Sequence, residues 1–531
     1  MRLQCTEKEV INLISMNTTN QPNNRPSVGI DDMSLYVPKI YFDIKDLAEA
    51  RAIEYAKLNK GLGLSKMAML DAHEDAATMA ANAVADLIEK NQLDPSKIGR
   101  IYLGTESALD GAKPTATYVL EMLRGKYAST FGGNCFLNCD VVDLTFACVG
   151  GVDALHNTID WVRGGTERIG IVVSTDNAKY ELASSGEYTQ GAGAIAILVK
   201  EQPRLLAFGE HWGIATMGVH DFYKPKIKAS KAQVIKEVLE LAAVHNENGT
   251  VDNLLAKLTD SLEVNGVLDI NDRKLTLHKD TPTFDGPFSN QCYQDRIGEA
   301  YQHIMRQKVA ANEFDTSDGS ILYDNWAQLI FHLPYAFHGK RIFSDIFIKE
   351  IKRTGKWEVF KQENGLEEPS EGDFDNGKDF KKATALFLKS ITKTPAYKNL
   401  VSQKIEKGQR ASSEIGNMYT CSVFLALMSV LQTELNEKID LGGQKLGFFA
   451  YGSGSKSKVF EATVQPEWQS IVAKFELFNN LEKRTAIDYS TYEQLHTGER
   501  AESVLSPTNE FSLKEIGTEG VTKGARYYEW K

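Results

Sequence analysis

The chain is short of the features that mark membrane, fibrous or disulfide-stapled proteins. It has no run of about 18 consecutive apolar residues, so no membrane-spanning helix is expected. Its 6 cysteines in 531 residues are too sparse for a disulfide framework and point to a reducing compartment. Positive charge is not in excess. The 60 Lys+Arg stand against 71 Asp+Glu, a net charge of −11, which argues against general binding to nucleic acid or anionic membrane. An anionic ligand has to find a local basic patch instead. No tandem repeat with a period of about 20–50 residues is visible, which sets aside solenoids and propellers. Residues 1–26 lack both the apolar block of a secretory signal and the arginines of an organelle transit peptide. They read as a flexible lead-in, and a cytoplasmic location is expected.

What is present suits large packed cores: 42% of residues are apolar, 9% aromatic and 25% charged. The length suggests two to four folded units at about 100–200 residues each. Buried strands are expected at Ser27–Val37, Arg100–Gly104, Arg168–Ser174, Gly193–Val199, Ala327–Leu333 and Lys445–Tyr451. Each is rich in β-branched or aromatic residues and bounded by Gly, Asp or Pro. Helical spacing recurs between them, as in Ala80, Val84, Leu87 and Ile88, or in Val152, Leu155, Ile159 and Val162. Alternation of the two implies an α/β layered fold. Residues 226–282 interrupt the pattern and read as an inserted helical subdomain. The charged, Gly-rich stretch Gly355–Asn376 reads as a solvated loop.

Several local patterns fail as motifs. GLGLSK at Gly61–Lys66 lacks the spacing of a phosphate loop and is better read as a turn between helices. His73-Glu74 opens like a zinc-protease helix, but Ala77 stands where the second ligand belongs. Cys135 and Cys139 have no second ligand pair and read as two buried thiols.

Cys148 stands out. It follows the apolar VVDLTFA and precedes a helical pattern, where free N–H groups and the helix dipole favour a thiolate nucleophile. Gly150 and Gly151 allow a substrate or another backbone to come close. Glu106 directly follows the strand RIYLG, His332 ends an apolar strand, and Asn417 lies in EIGNMYT. Singly, these read as a packing thiol, a helix cap, a core histidine and a turn residue. Together they supply a thiol nucleophile, a carboxylate base, an imidazole and an amide donor, the set that carbon–carbon bond formation on thioesters needs.

The ordered segments GTES at Glu106, ACVGGVDALHN at Cys148, TQGAGAIAI from Thr189, DFYKP, FDGPFSNQCY, FHLPY, GNMYT and YGSGS resemble the 3-hydroxy-3-methylglutaryl-CoA synthase family. The resemblance implies a thiolase-like fold: two similar halves, 27–203 and 204–531, each with a mixed sheet layered between helices, plus the insertion 226–282. It also implies a homodimer. The roles it implies are a Cys148 nucleophile that takes acetyl from acetyl-CoA and a Glu106 base that removes a methyl proton. His332 positions the acetoacetyl group and helps protonate the new alkoxide. Asn417 and the backbone at Ser453 donate hydrogen bonds, Thr189 and Ser289 touch the substrate, and Lys57 meets CoA.

No metal or redox cofactor is implied; the CoA thioesters are substrates. The family Lys five residues after the histidine is Phe337 here, with Lys340 and Arg341 nearby as replacement charge, and the usual Pro before Thr189 is Tyr188. Isoprenoid supply through mevalonate is the default use. An acceptor carried on an acyl carrier protein, as in polyketide β-branching, is the alternative.

Overall fold

The structure, a computed structural model, describes residues 26–241 and 274–531. Most of the lead-in and the middle of the insertion lie outside the described residues. Nine strands form one mixed sheet. In chain order they are β1 (Val28–Tyr36), β2 (Ile98–Gly104), β3 (Asp140–Leu144), β4 (Ile169–Ala178), β5 (Gly191–Glu201), β6 (Leu206–Thr216), β7 (Gln328–Phe331), β8 (Lys445–Gly452) and β9 (Lys456–Val464). Across the sheet their order is β7-β8-β9-β6-β1-β5-β4-β2-β3.

Two halves meet at β1 and β6. Outward from β1 through β5, β4 and β2 the pairings run antiparallel, antiparallel, parallel. Outward from β6 through β9, β8 and β7 they run the same way. The internal repeat is therefore one of topology, not of sequence. The halves do not carry separate sheets: Gly29 and Ile30 pair with Ala207 and Leu206, which joins them into one. Glycine is required at this joint, because a Cβ on Gly29 would lie 1.9 Å from the Leu206 carbonyl oxygen.

Helices cover both faces. Alternation along β5 shows the layering. Ala192, Ala194, Ala196 and Leu198 face the cluster built on helix α1 (Ala76–Lys90), while Ile195, Ile197 and Val199 face the larger core. That core contains helix α2 (Gly150–Arg163), helix α3 (Gly286–Ala310), helix α4 (His338–Arg353) and helix α5 (Ser422–Asn436). Strands buried on both faces read as continuous apolar runs, which is why β4, β5 and β8 are plain in the sequence.

Four expectations are corrected. GLGLSK joins the helix Tyr55–Leu62 to the strand Lys66–Met69, with Gly63 at φ 79°, and is not a turn between helices. Within the supposed loop 355–376, Trp357–Glu363 is a helix whose Trp357 and Phe360 are buried, because two aromatic rings outweigh the surrounding charge. The insertion is not helical at its ends: Lys226–Ser230 pairs antiparallel with Lys274–His278, and the helix Lys231–Leu241 follows the first strand. Cys135 is buried, but Cys139 is only half-buried.

Candidate active site

Cys148 sits in a tight turn between β3 and α2. Ala147 before it has φ 40°, and Tyr419, at the matching entry to α5, has φ 41°. Glycines let the turn close. A Cβ on Gly104, at the end of β2, would meet Gly151 N at 2.3 Å, and one on Gly150 would meet Leu144 O at 2.6 Å. The two glycines after Cys148 thus make room for protein atoms, the Leu144 carbonyl at Gly150 and Ser174 Oγ, 2.1 Å from a Cβ, at Gly151.

Glu106 lies just past β2, and Asp176 on β4 holds it there. One Asp176 carboxylate oxygen accepts from Glu106 N at 2.7 Å and Ser107 Oγ at 3.0 Å. The other accepts from Thr420 N at 3.0 Å, so one buried carboxylate ties the base loop to the second half. The Cys148 thiol and the Glu106 carboxylate are electrostatic neighbours, and Glu106 Oε1 is buried with no hydrogen-bond partner among the described residues. Burial pushes Glu106 up to about 7, against the pull of Lys224, whose Nζ donates to Glu106 O at 3.2 Å. Burial and the neighbouring carboxylate also hold the Cys148 thiol well above its usual range. Burial and the Glu106 carboxylate thus oppose the thiolate that the helix dipole favours. The resting group is a thiol, poised to lose its proton to a carboxylate of raised basicity.

Two cavities meet at this pair. One, of about 350 Å³, is lined by Cys148, Thr189, Ser289, His332, Asn417 and Ser453, and opens past Leu62, Tyr188, Tyr335 and Arg341. The other, of about 660 Å³, is lined by Glu106, Lys224, Lys226 and His278, and shares Phe222 and Ser453 with the first. The insertion strands thus wall the side from which Glu106 is reached.

His332 follows β7, its N–H donating to Phe449 O at 3.0 Å and its carbonyl accepting from Tyr293 Oη at 2.7 Å. Burial pulls its imidazole down to about 3, so the ring is neutral. Asn417 Oδ1 accepts from Tyr419 N at 2.9 Å and Ser422 Oγ at 3.0 Å, which leaves the amide N–H groups for a ligand. Thr189 Oγ1 donates to Gly186 O at 2.7 Å. Ser289 Oγ reaches Asp221, which also takes Tyr451 Oη and Gly454 N at 2.7 Å each and shapes the loop bearing Ser453.

Lys57 does not line the cavity; it is largely exposed and lies 3.9 Å from Glu54. Arg341 does reach the mouth, donating to Gly61 O at 2.7 Å. Phe337 packs its ring where a Cβ on Gly63 would stand, and Lys340 Nζ lies 3.3 Å from the Phe337 ring centre. Asp176, Asp221, Lys224 and His338 escaped the sequence reading. DFYKP carries two of them, and the second histidine of HLPYAFH was the available signal for His338. Among the described residues, no group of three or more His, Cys, Asp and Glu is arranged to hold a metal ion, and no helix is long and apolar enough to cross a membrane.

A cysteine thiol next to a half-buried carboxylate, sharing its cavity with an imidazole at the seam of two like halves, is the arrangement of a thiolase-like condensing enzyme. Residues 24–203 match the family described as Hydroxymethylglutaryl-coenzyme A synthase N terminal, and residues 272–522 match Hydroxymethylglutaryl-coenzyme A synthase C terminal. The chain belongs to the hydroxymethylglutaryl-CoA synthase family, a transferase family. It is 28% identical over 473 residues to the hydroxymethylglutaryl-CoA synthase of Haloferax volcanii, covering 88% of this chain and 91% of that one. It is 26% identical over 491 residues to the enzyme of Enterococcus faecalis, covering 92% and 96%. A solved structure of MvaS in complex with 3-hydroxy-3-methylglutaryl coenzyme A superposes with a TM-score of 0.70 at 27% identity, covering 95% of this chain and 99% of that one. The Curacin pathway HMG synthase, solved in complex with acetyl donor-ACP, shares the fold at 19% identity and a TM-score of 0.65, covering 95% and 100%.

Proposed function

We propose that this enzyme condenses acetyl-CoA with acetoacetyl-CoA and water to give 3-hydroxy-3-methylglutaryl-CoA and CoA. The observation that carries the reading is the contact between the Cys148 thiol and the raised Glu106 carboxylate, beside a cavity that also holds His332 and Asn417. As Cys148 sulfur attacks the acetyl carbonyl, its proton passes to Glu106, which returns it to the departing CoA sulfur. The regenerated carboxylate then removes a methyl proton from the acetyl thioester. A base near pKa 7 does this far better than an ordinary carboxylate.

The Asn417 amide and the backbone at Ser453 stabilise the enolate oxygen, each such donor being worth about 3 kcal/mol. The enolate attacks the ketone carbon of acetoacetyl-CoA. The proton held by Glu106 goes to the new alkoxide, towards which neutral His332 directs a hydrogen bond. Water then cleaves the product from Cys148.

Arg341 at the mouth, with Lys340 beside Phe337, supplies positive charge for the CoA phosphates in place of a lysine at Phe337. No metal or redox group is needed for this chemistry. The edge strand β3 pairs only with β2 among the described residues, which suits a homodimer built across it. Isoprenoid supply through mevalonate is the use we assign.

The test is a two-stage assay. Acetyl-CoA alone should add one acetyl group to Cys148 by intact mass, and Cys148→Ser should abolish the adduct. Acetoacetyl-CoA should then be consumed with release of free CoA. Turnover only with an acetoacetyl-carrier protein would replace the free-CoA reading by the carrier-protein one.

A further inference from the structure

His338 is the one imidazole in the substrate cavity to which no step above gives a task. It is 1% exposed, and neither ring nitrogen has a hydrogen-bond partner among the described residues. It lines the same cavity as His332, whose Nδ1 is likewise buried without a partner. Three sealed, unpaired imidazole nitrogens are thus gathered beside the acceptor site. Buried polar groups are nearly always paired, so such a cluster calls for a reason.

The two rings are held rigidly. Tyr293 stacks on Tyr451 at 4.4 Å and presents its ring to both histidines, 5.9 Å from His332 and 4.9 Å from His338, at similar tilts of 34° and 30°. Tyr335 meets His338 edge-on at 4.7 Å. Gly339 presses α4 against β7, since a Cβ there would lie 2.9 Å from the Phe331 ring. The strand end bearing His332 and the helix start bearing His338 are therefore one rigid unit.

Burial keeps both imidazoles neutral, with Arg341 adding to the effect at His338. A neutral imidazole has one donor and one acceptor nitrogen, and the partner of one sets the tautomer of the other. For His332 to present an N–H to the acceptor ketone from Nε2, the sealed Nδ1 must be the bare nitrogen and needs a donor.

We propose that His338 is the positioning residue of His332: through one bound water it donates to Nδ1 of His332 and so holds the Nε2–H tautomer that faces the acceptor ketone. A bridging water suits a polar site bordered by three unpaired nitrogens. Nothing is transferred in the step; a hydrogen bond fixes a ring. The inference rests on the role given to His332 in the proposed condensation.

His338→Leu keeps the packing and removes the hydrogen bonds. It should leave Cys148 acetylation unchanged. It should lower kcat for condensation about tenfold to a hundredfold, the range found for outer-shell groups that orient a metal-bound histidine, with little change in KM for acetoacetyl-CoA. His338→Gln, which restores a donor, should recover most of the rate. Full condensation in His338→Leu, or no recovery in His338→Gln, overturns the proposal.

If His338→Leu does not fold, nitrogen-15 shifts of labelled histidine in the parent enzyme, with His332→Gln for assignment, read the tautomer directly. A protonated Nε2 on His332 is expected, and a protonated Nδ1 overturns the proposal. Full condensation by His332→Ala would instead sink the functional reading on which it rests.

Discussion

Replacing Glu106 with Gln separates its two properties, basicity and buried charge. The glutamine keeps the shape, but it cannot take a proton. Condensation should fall by at least about a hundredfold, the usual contribution of a positioned base. Stability should move the other way. In the folded state the Glu106 pKa is raised from 4.5 to about 7, so folding favours the protonated form and the wild type loses stability as pH rises through 7. The shift amounts to a cost on the order of 3 kcal/mol once the group is fully ionised, of which about 2 kcal/mol develops between pH 5 and pH 8. The Gln variant never carries this charge. Urea denaturation of both proteins across that range should therefore show the variant gaining on the wild type as pH increases, by up to about 2 kcal/mol. In parallel, washing deuterium into the methyl of enzyme-bound acetyl should be slow in the variant. In the wild type it should rise about tenfold per pH unit up to an inflection near the Glu106 value of about 7. A wild-type inflection at the ordinary carboxylate value, or a stability difference that ignores pH, refutes the account of Glu106 as a desolvated base.

Gly104→Ala should damage acetylation more than folding. Its Cβ would stand 2.3 Å from Gly151 N and push the start of α2, with Cys148, out of place; intact mass after acetyl-CoA should show slow or incomplete adduct. Arg341→Gln should raise KM for CoA thioesters about tenfold, the worth of one charge-assisted contact, while leaving kcat/KM for acetyl-pantetheine unchanged. Equal effects on both donors would place Arg341 away from the CoA phosphates. Trp357→Ala should cost about 3 kcal/mol in urea denaturation, because the ring is buried and donates to Glu368 at 2.7 Å. A negligible cost would restore the view of residues 355–376 as a solvated loop.

The amino-acid order alone carried the strands that are buried on both faces and the helices α1 and α2, and it marked four candidates, of which Cys148, His332 and Asn417 line one cavity and Glu106 the adjoining one. Apolar periodicity and local motif chemistry are short-range properties, and they survive in one dimension. Strands β3, β6 and β9 were harder to see. β6 mixes apolar with exposed polar positions, and β3 is a half-covered edge, so neither makes a long apolar run. The electrostatics at Cys148 needed three dimensions, because a helix start argues for a thiolate until burial and the Glu106 carboxylate are placed against the sulfur. Asp176 ties the two halves together and Asp221 ties separate loops of the second half, through hydrogen bonds that span 244 and 230 positions. The pairing of Gly29 with Ala207, which makes one sheet of two halves, and the meeting of His332 with His338 on one tyrosine ring are likewise matters of packing. Sequence spacing encodes what a segment can become; which distant groups share a cavity, and so which protons are held or released, follows only when the chain closes on itself.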